Sequence, residues 1–387
     1  MRQLILLVGA SALFGCQKDP VENLAAPSIL GFYHEADTVG AVVHILGTQF
    51  SRTAKNNVVS FQRQEAPAFA VRGDTLQVRV PAGATSGVLT VRVYAQSATS
   101  TQPFTVVTGR WRRRADVPVS LDTPVAFALG AKGYLSTGGN RGSQELWTYD
   151  PALNRWQKQA DFPGAPRRYA LGFAIGTRGY VGFGRQDYPP YFGDFYAYDA
   201  TSNRWTPQTG LAPGDVEAED YVAFAANGKG YLFSAANPWS DGLLEYDPTT
   251  NRWTPKQRFP GTRRYLAVGF AIGPKGYVAG GTDGGGKLAD SFWEYNPATD
   301  AWTQKAPVPQ YGERGMAFAV GSKGYFGLNY SRQLYEYDPA QNTWRRKADF
   351  PGNVYYGARS FVLNGKAYVV SGIAYNGGSR ELWEFTP

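Results

Sequence analysis

The sequence predicts an all-β protein: a small β-sandwich followed by a six-bladed β-propeller of four-stranded blades, its ring closed by an N-terminal outer strand. Three observations carry this. An eight-residue phrase recurs at 149–156, 198–205, 246–253, 295–302 and 337–344, always with tyrosine first and tryptophan last. The tryptophans step by 49, 48, 49 and 42 residues, and self-similarity at about 40–50 residues marks a propeller built one sheet per repeat. Finally, the chain ends at Leu382-Trp383-Glu384-Phe385-Thr386-Pro387, where a turn and a fourth strand are due, and a matching piece stands far upstream at 110–118.

Residues 1–15 read as a targeting signal. Arg2 is the positive end and Leu4 to Phe14 is an apolar run too short to span a bilayer comfortably. Leu13-Phe14-Gly15-Cys16 resembles a bacterial lipobox, and Cys16 is the sole cysteine. The resemblance implies cleavage before Cys16, lipid on its sulfur, and an exported protein anchored to the bacterial envelope. Gln17 after the cysteine is compatible with sorting to the outer membrane, the cell surface included. An ordinary secretory signal is the alternative. Residues 16–26 form the lipidated cysteine and a short polar tether.

Residues 27–107 carry strand-like runs at 41–50, 56–62, 75–80 and 88–94, punctuated by glycine, proline and serine as a sandwich requires. Gly47-Thr48-Gln49-Phe50 and the stretch 80–87 resemble the IPT/TIG immunoglobulin-like family, which implies a spacer or protein-contact module.

Residues 108–387 form the propeller. Each blade opens on a small, apolar inner strand such as 170–175. A basic residue and glycine then make the turn, as in Lys132-Gly133-Tyr134, and tyrosine starts the second strand; there are six such anchors. The phrase Tyr149-Asp150-Pro151-Ala152-Leu153-Asn154-Arg155-Trp156 reads strand, turn, strand. Aspartate accepts backbone hydrogen bonds, proline presets φ and asparagine tolerates left-handed backbone. The tryptophan opens the outer strand and packs between blades. Arg110-Trp111-Arg112-Arg113-Arg114 matches Thr343-Trp344-Arg345-Arg346-Lys347 and supplies the last blade's missing outer strand. These copies resemble the kelch repeat of galactose-oxidase-type propellers over about 110–387. The double glycine of that repeat survives as Gly138-Gly139 and Gly280-Gly281. Propellers host unrelated activities, so the resemblance implies a fold rather than a function.

Composition narrows the function. Aromatics are 15% of 387 residues, suited to blade-on-blade packing. The formal charge is +8, with 31 basic against 25 acidic residues interspersed over 110–387. Arg112-Arg113-Arg114 and Arg345-Arg346-Lys347 read as solvated outer-strand faces, so no nucleic-acid partner is expected. The basic anchors Lys132, Arg178, Lys229, Lys275, Lys323 and Lys366 read as exposed turn residues before they read as an anion-binding ring. The only histidines, His34 and His44, precede the propeller, which holds no cysteine. Copper of the galactose-oxidase type, catalytic zinc and histidine-based triads are thereby excluded there. No metal or cofactor is expected, and no catalytic residue is assigned.

What remains is the mouth of the ring. Loops joining the fourth strand to the first carry Arg167, Arg168, Tyr169, Glu217, Glu219, Tyr221, Arg263, Arg264, Tyr265, Arg314, Tyr356 and Arg359, the candidate ligand-binding set. Loops joining the second strand to the third carry Tyr188, Tyr191, Trp239, Tyr330 and Tyr375, the candidate stacking aromatics. Flat rings suit sugar faces, and arginine grips carboxylates bidentately. The first reading is a non-enzymatic, envelope-anchored module that binds a glycan or an envelope protein. The second is a metal-free enzyme on a carbohydrate acid, as six-bladed kelch proteins include N-acetylneuraminate epimerases.

Overall fold

The computed structural model describes residues 25–387 apart from 121–122, 139–142, 187–190, 213–220, 235–241, 263, 284–285, 311, 329, 354–356, 371 and 375–376. The signal, Cys16 and most of the tether lie outside the described residues. Among the described residues there are strands and one 3-10 turn, Ala54–Asn56, and no α-helix. The chain divides into two compact units at Val106/Val107.

In the first unit two sheets enclose one core. One sheet orders its strands Ser28–Tyr33, Val42–Thr48, Thr75–Arg79 and Ala70–Arg72. The other orders Ala36–Thr38, Gln96–Val107, Gly87–Val93, Asn57–Phe61 and Gln64–Pro67. Alternate residues point inward, so Val43, Ile45, Val59, Phe61, Leu76, Val78, Val91 and Phe104 meet in the core. The four expected runs coincide with strands. Gln96–Val107 was not foreseen: its first seven residues are polar or small, and backbone pairing to Gly87–Val93 holds them.

In the second unit the described residues form six four-stranded antiparallel sheets, arranged as in a β-propeller. Their inner strands are Val125–Leu129, Leu171–Ile175, Val222–Ala226, Val268–Ile272, Met316–Val320 and Arg359–Leu363, in sheets one to six. Each inner strand contacts the next, and that of sheet six contacts that of sheet one. Sheet six takes its outer strand, Arg110–Arg113, from the start of the unit, paired antiparallel with Leu382–Thr386.

The anchor glycine is not in the turn. The hairpins turn at two residues before it: Gly130-Ala131, Gly176-Thr177, Gly273-Pro274 and Gly321-Ser322, with φ of 57–59° at the glycine. In Asn227-Gly228 and Asn364-Gly365 both residues have positive φ. These are the II′ and I′ signatures that match strand twist. Gly133, Gly179, Gly230, Gly276 and Gly324 instead lie within the second strands, where a Cβ would collide with Phe361, Phe127, Phe173, Phe224 and Phe270 of the preceding sheet. Five of the six sheets thus seat their central inner phenylalanine on the next sheet's bare backbone, and Phe318 of sheet five clusters with Ala367 instead. Five of the six basic anchors are ion-paired: Lys132, Lys229, Lys275, Lys323 and Lys366 face Asp150, Asp247, Glu294, Asp338 and Glu384.

The recurring phrase staples neighbouring sheets. Asn154 has φ of 48°, accepts the Tyr149 hydroxyl at 2.7 Å, and accepts the amide of Ala115 at 2.9 Å. Trp156 donates Nε1–H to the Ala115 carbonyl at 2.9 Å. The same tryptophan bond recurs from Trp205, Trp253, Trp302 and Trp344 to Ala160, Thr209, Gln257 and Ala306. Trp111 makes it to Ala348, so the closing strand is stapled like the rest.

The basic outer-strand runs are only half solvated. Arg112 and Arg345 are exposed, whereas Arg114 and Lys347, each just past the end of its outer strand, are withdrawn from solvent. Arg114 pairs with Glu384 at 2.9 Å and Lys347 with Glu336 at 3.1 Å. The glycine pair also occupies two registers. Gly280-Gly281 aligns with Phe183-Gly184 and with Thr137-Gly138, not with Gly138-Gly139. The first of these positions is left-handed in every one of them, with φ of 63°, 59° and 59°.

Candidate functional site

Antiparallel order puts the loops between second and third strands and those between successive sheets on one face of the second unit. At that face the inner strands enclose a cavity of about 180 Å³. Its wall takes one stretch from each of the six strands, with small residues where the strands crowd: Ala126, Gly172, Ala223, Gly269, Ala317 and Ser360. Large and small residues alternate around it. A Cβ on Gly172 or Gly269 would strike Val125 or Val222 of the preceding sheet.

A ring of left-handed residues crowns this channel. Thr123, Tyr169, Leu266, Arg314 and Gly357 each stand four residues before the central phenylalanine of their strand, with φ of 48°, 55°, 56°, 54° and 75°. A non-glycine residue in this region costs roughly 1–3 kcal/mol and persists only where the surroundings impose it. All five line a smaller mouth cavity of about 80 Å³, together with Tyr221 and Arg359.

Four of the candidate residues therefore meet at one mouth: Tyr169, Tyr221, Arg314 and Arg359. Arg168 flanks it. Its backbone bridges Arg185, and both guanidiniums lie over the Tyr169 ring, at 5.6 and 5.2 Å. Tyr265 is held in a backbone bridge to Thr282 and lines neither cavity.

Arg167 and Arg264 depart from the expectation, because both are buried. Arg167 pairs bidentately with Asp194, bonds the Phe183 carbonyl at 2.9 Å, and lies between the rings of Phe162 and Phe192 at 4.6 and 4.4 Å. Arg264 occupies the same position in sheet four, over Phe259, but Ser291 stands where Asp194 would be. Burial lowers its pKa to about 10. Both are struts beneath the mouth. Arg-Arg-Tyr at 167–169 and 263–265 looks like one motif, yet the fold aligns Arg167 with Arg264, one residue out of step.

Glu217, Glu219, Arg263 and Tyr356 lie outside the described residues, as do Tyr188, Trp239 and Tyr375. Of the remaining aromatics, Tyr191 bridges Arg185 and Tyr330 is exposed, and neither lines the channel. Sequence reasoning missed Thr123, Leu266, Gly357 and Met316. A signal was there: counting back four residues from each inner phenylalanine finds the first three.

Among the described residues no group of histidine, cysteine, aspartate and glutamate could hold a metal ion. Nor, among the described residues, is any helix long and apolar enough to cross a membrane.

Comparisons with known proteins agree on the architecture. Residues 263–309 match the Kelch motif. The solved structure of YjhT superposes with a TM-score of 0.57 at 18% identity, covering 69% of this chain and 94% of that one. At that identity the likeness is one of fold alone. An alignment 104 positions long, covering 24% of this chain, is 34% identical to the N-acetylneuraminate epimerase of Yersinia enterocolitica serotype O:8 / biotype 1B. That match spans about a quarter, 26%, of the relative's own length.

Proposed function

We propose that this chain is an envelope-anchored binding protein: a lipid on Cys16, an IPT/TIG immunoglobulin-like spacer, and a six-bladed kelch propeller that takes a glycan or an envelope protein at its loop-face mouth. One observation carries the binding role. Tyr169, Tyr221, Arg314 and Arg359 converge from four different sheets on one cavity at the end of the channel. Concave, loop-built sites where a few polar groups break an apolar wall are where ligands bind. The test is a glycan array probed with the detergent-solubilised full-length protein. Saturable binding to one sugar class is expected, weakened about tenfold or more in Tyr169→Ala with an unchanged melting temperature. A blank array from folded protein transfers the reading to a protein ligand, and a failed pull-down from envelope extracts then ends it. Palmitate labelling that survives in Cys16→Ser removes the anchor.

A second reading is favoured by the N-acetylneuraminate epimerase match: a metal-free enzyme on a carbohydrate acid. Exchange of the sugar C–H with deuterated water, catalysed by the protein and followed by NMR, would establish it. No exchange with any sialic acid eliminates it.

A further inference from the structure

The third strands repeat a small polar circuit, and sheet four carries its donors without its acceptor. The second residue of such a strand is aromatic in most sheets, and its polar tip donates to the side chain two residues earlier. Trp147 reaches Glu145 at 3.2 Å, Trp383 reaches Glu381 at 3.1 Å, and Tyr335 reaches Gln333 at 3.1 Å. In sheet two the residue at that earlier position, Asp194, receives the Arg167 guanidinium instead. Sheet four has both kinds of donor, Trp293 and Arg264, but Ser291 stands where the others place a longer acceptor. The glycines of Phe162-Pro163-Gly164, Phe259-Pro260-Gly261 and Phe350-Pro351-Gly352 mark the spot. A Cβ on Gly164 would lie 2.6 Å from Asp194 Oδ2, and one on Gly352 would lie 2.7 Å from Glu381 Oε2 and 2.6 Å from Trp383 Nε1. On Gly261 it would meet Phe259 and, at 3.3 Å, Trp293 Cε2, the atom that carries Nε1.

The donors of sheet four are buried and under-used. Arg264 is 1% exposed, and its hydrogen bonds go to the Ser291 hydroxyl and the Gly280 and Ser291 carbonyls, none of them a carboxylate. Among the described residues Arg264 Nε and Trp293 Nε1 are buried without a hydrogen-bond partner. The Ser291 hydroxyl accepts from Arg264 Nη2 at 2.6 Å, which leaves its own proton to donate. Buried charges are ordinarily matched by a counter-charge, and buried N–H groups by an acceptor. We infer that this spot in sheet four binds a small monovalent anion, chloride, held by the Arg264 guanidinium, the Trp293 indole N–H and the Ser291 hydroxyl. Asp194 and Glu381 show that an anionic atom fits beside this glycine in the sister sheets. A spherical ion suits the donors better than a carboxylate does. They belong to three separate side chains, and the end of the guanidinium is already committed to Ser291 and two carbonyls, so the two-pronged grip that Arg167 gives Asp194 is not repeated. The ion completes a strut two residues before Leu266, whatever the mouth itself binds.

The experiment is thermal unfolding of the full-length protein near neutral pH, with chloride replacing methanesulfonate at constant ionic strength. Methanesulfonate is monovalent and bulkier, so the exchange leaves screening unchanged. The wild-type melting temperature should climb saturably, by about 2 °C or more between about 1 and 100 mM chloride. Ser291→Asp supplies the anion covalently. It should melt above the wild type in methanesulfonate and lose the chloride response. Trp293→Phe removes one donor and keeps an aromatic ring. It should raise the half-saturating chloride concentration about tenfold, the scale of one hydrogen bond to a charge. A wild-type melting temperature indifferent to chloride overturns the inference. So does a response that persists in Ser291→Asp, which marks a general salt effect. Should Ser291→Asp fail to fold, an unshifted midpoint in Trp293→Phe overturns it equally.

Discussion

At the scale of single residues, burial decided which arginines can act. Arg167 and Arg264 stand two residues before the mouth residues Tyr169 and Leu266 and are chemically identical to Arg314 and Arg359, yet both are buried. The two struts differ in their counter-charge. Arg167 has Asp194, whereas Arg264 donates to the Ser291 hydroxyl and to the Gly280 and Ser291 carbonyls. Arg167 is fully buried while the Asp194 side chain keeps 34% of its surface exposed, so losing the carboxylate should cost less than the about 3–5 kcal/mol of a fully buried pair. Asp194→Asn should still lower the denaturant midpoint. Ser291→Asp should raise it by restoring the missing carboxylate. Equal and small effects in both variants would show that the loops relax to admit water. The phrase asparagines are the opposite case, legible from sequence because their role is local. A left-handed turn needs asparagine or aspartate, and all five copies, Asn154, Asn203, Asn251, Asp300 and Asn342, adopt it with φ of 48–54°.

At the scale of elements, the repeat predicts strands well and turns less well. The small residues of the inner strands and the tyrosine–tryptophan phrase fall where strands form. The anchor glycine misled, because glycine signals both a turn and a close backbone approach, and only packing tells the two apart. Gly179→Ala distinguishes them experimentally. Its Cβ would press on the Phe127 ring from the neighbouring sheet, and overpacking of this kind costs about 1–3 kcal/mol. A chemical-denaturation series should show that loss, and Phe127→Leu should recover part of it. Sheet six already tolerates a methyl here as Ala367, packed in one cluster with Phe318 of sheet five. A neutral Gly179→Ala would mean that the sheets slide to make room.

At the scale of the molecule, charge is distributed unevenly around the ring. In sheets three to six a buried or half-buried glutamate on the third strand accepts the anchor tyrosine hydroxyl: Tyr231–Glu245, Tyr277–Glu294, Tyr325–Glu336 and Tyr368–Glu384 at 2.6–3.0 Å. A cation three residues after each outer-strand tryptophan completes the group: Lys256, Lys305, Lys347 and Arg114. Sheets one and two carry Thr148 with Gln159 and Ala197 with Gln208 at these positions, so the charge is gained or lost as a set. Burial opposes ionisation of Glu294 and Glu384, but hydrogen bonds from Lys275 and Tyr277, and from Lys366 and Tyr368, outweigh it and depress both pKa values. Depressed carboxylates contribute stability that is fully present above the ordinary value of 4.5 and is lost as pH falls through the folded value. Melting temperatures should hold from pH 7 to about 5 and fall below that. Glu294→Gln should flatten the acid limb. An acid limb of unchanged slope would assign the pH dependence to other groups.

By itself the sequence determined the repeat and its period, the strand–turn–strand phrase, and the absence of histidine and cysteine between 108 and 387. Local geometry and composition write these directly into residue order. Only the tertiary structure decided which arginines are struts and which face the channel, and which glycines turn the chain and which receive a neighbour's ring. It also brought Tyr169, Tyr221, Arg314 and Arg359, separated by up to 190 positions, to one mouth. Burial and facing depend on the neighbouring sheet. That sheet is about 45 residues away in the chain and in direct contact in space, a distance over which a local pattern carries no information.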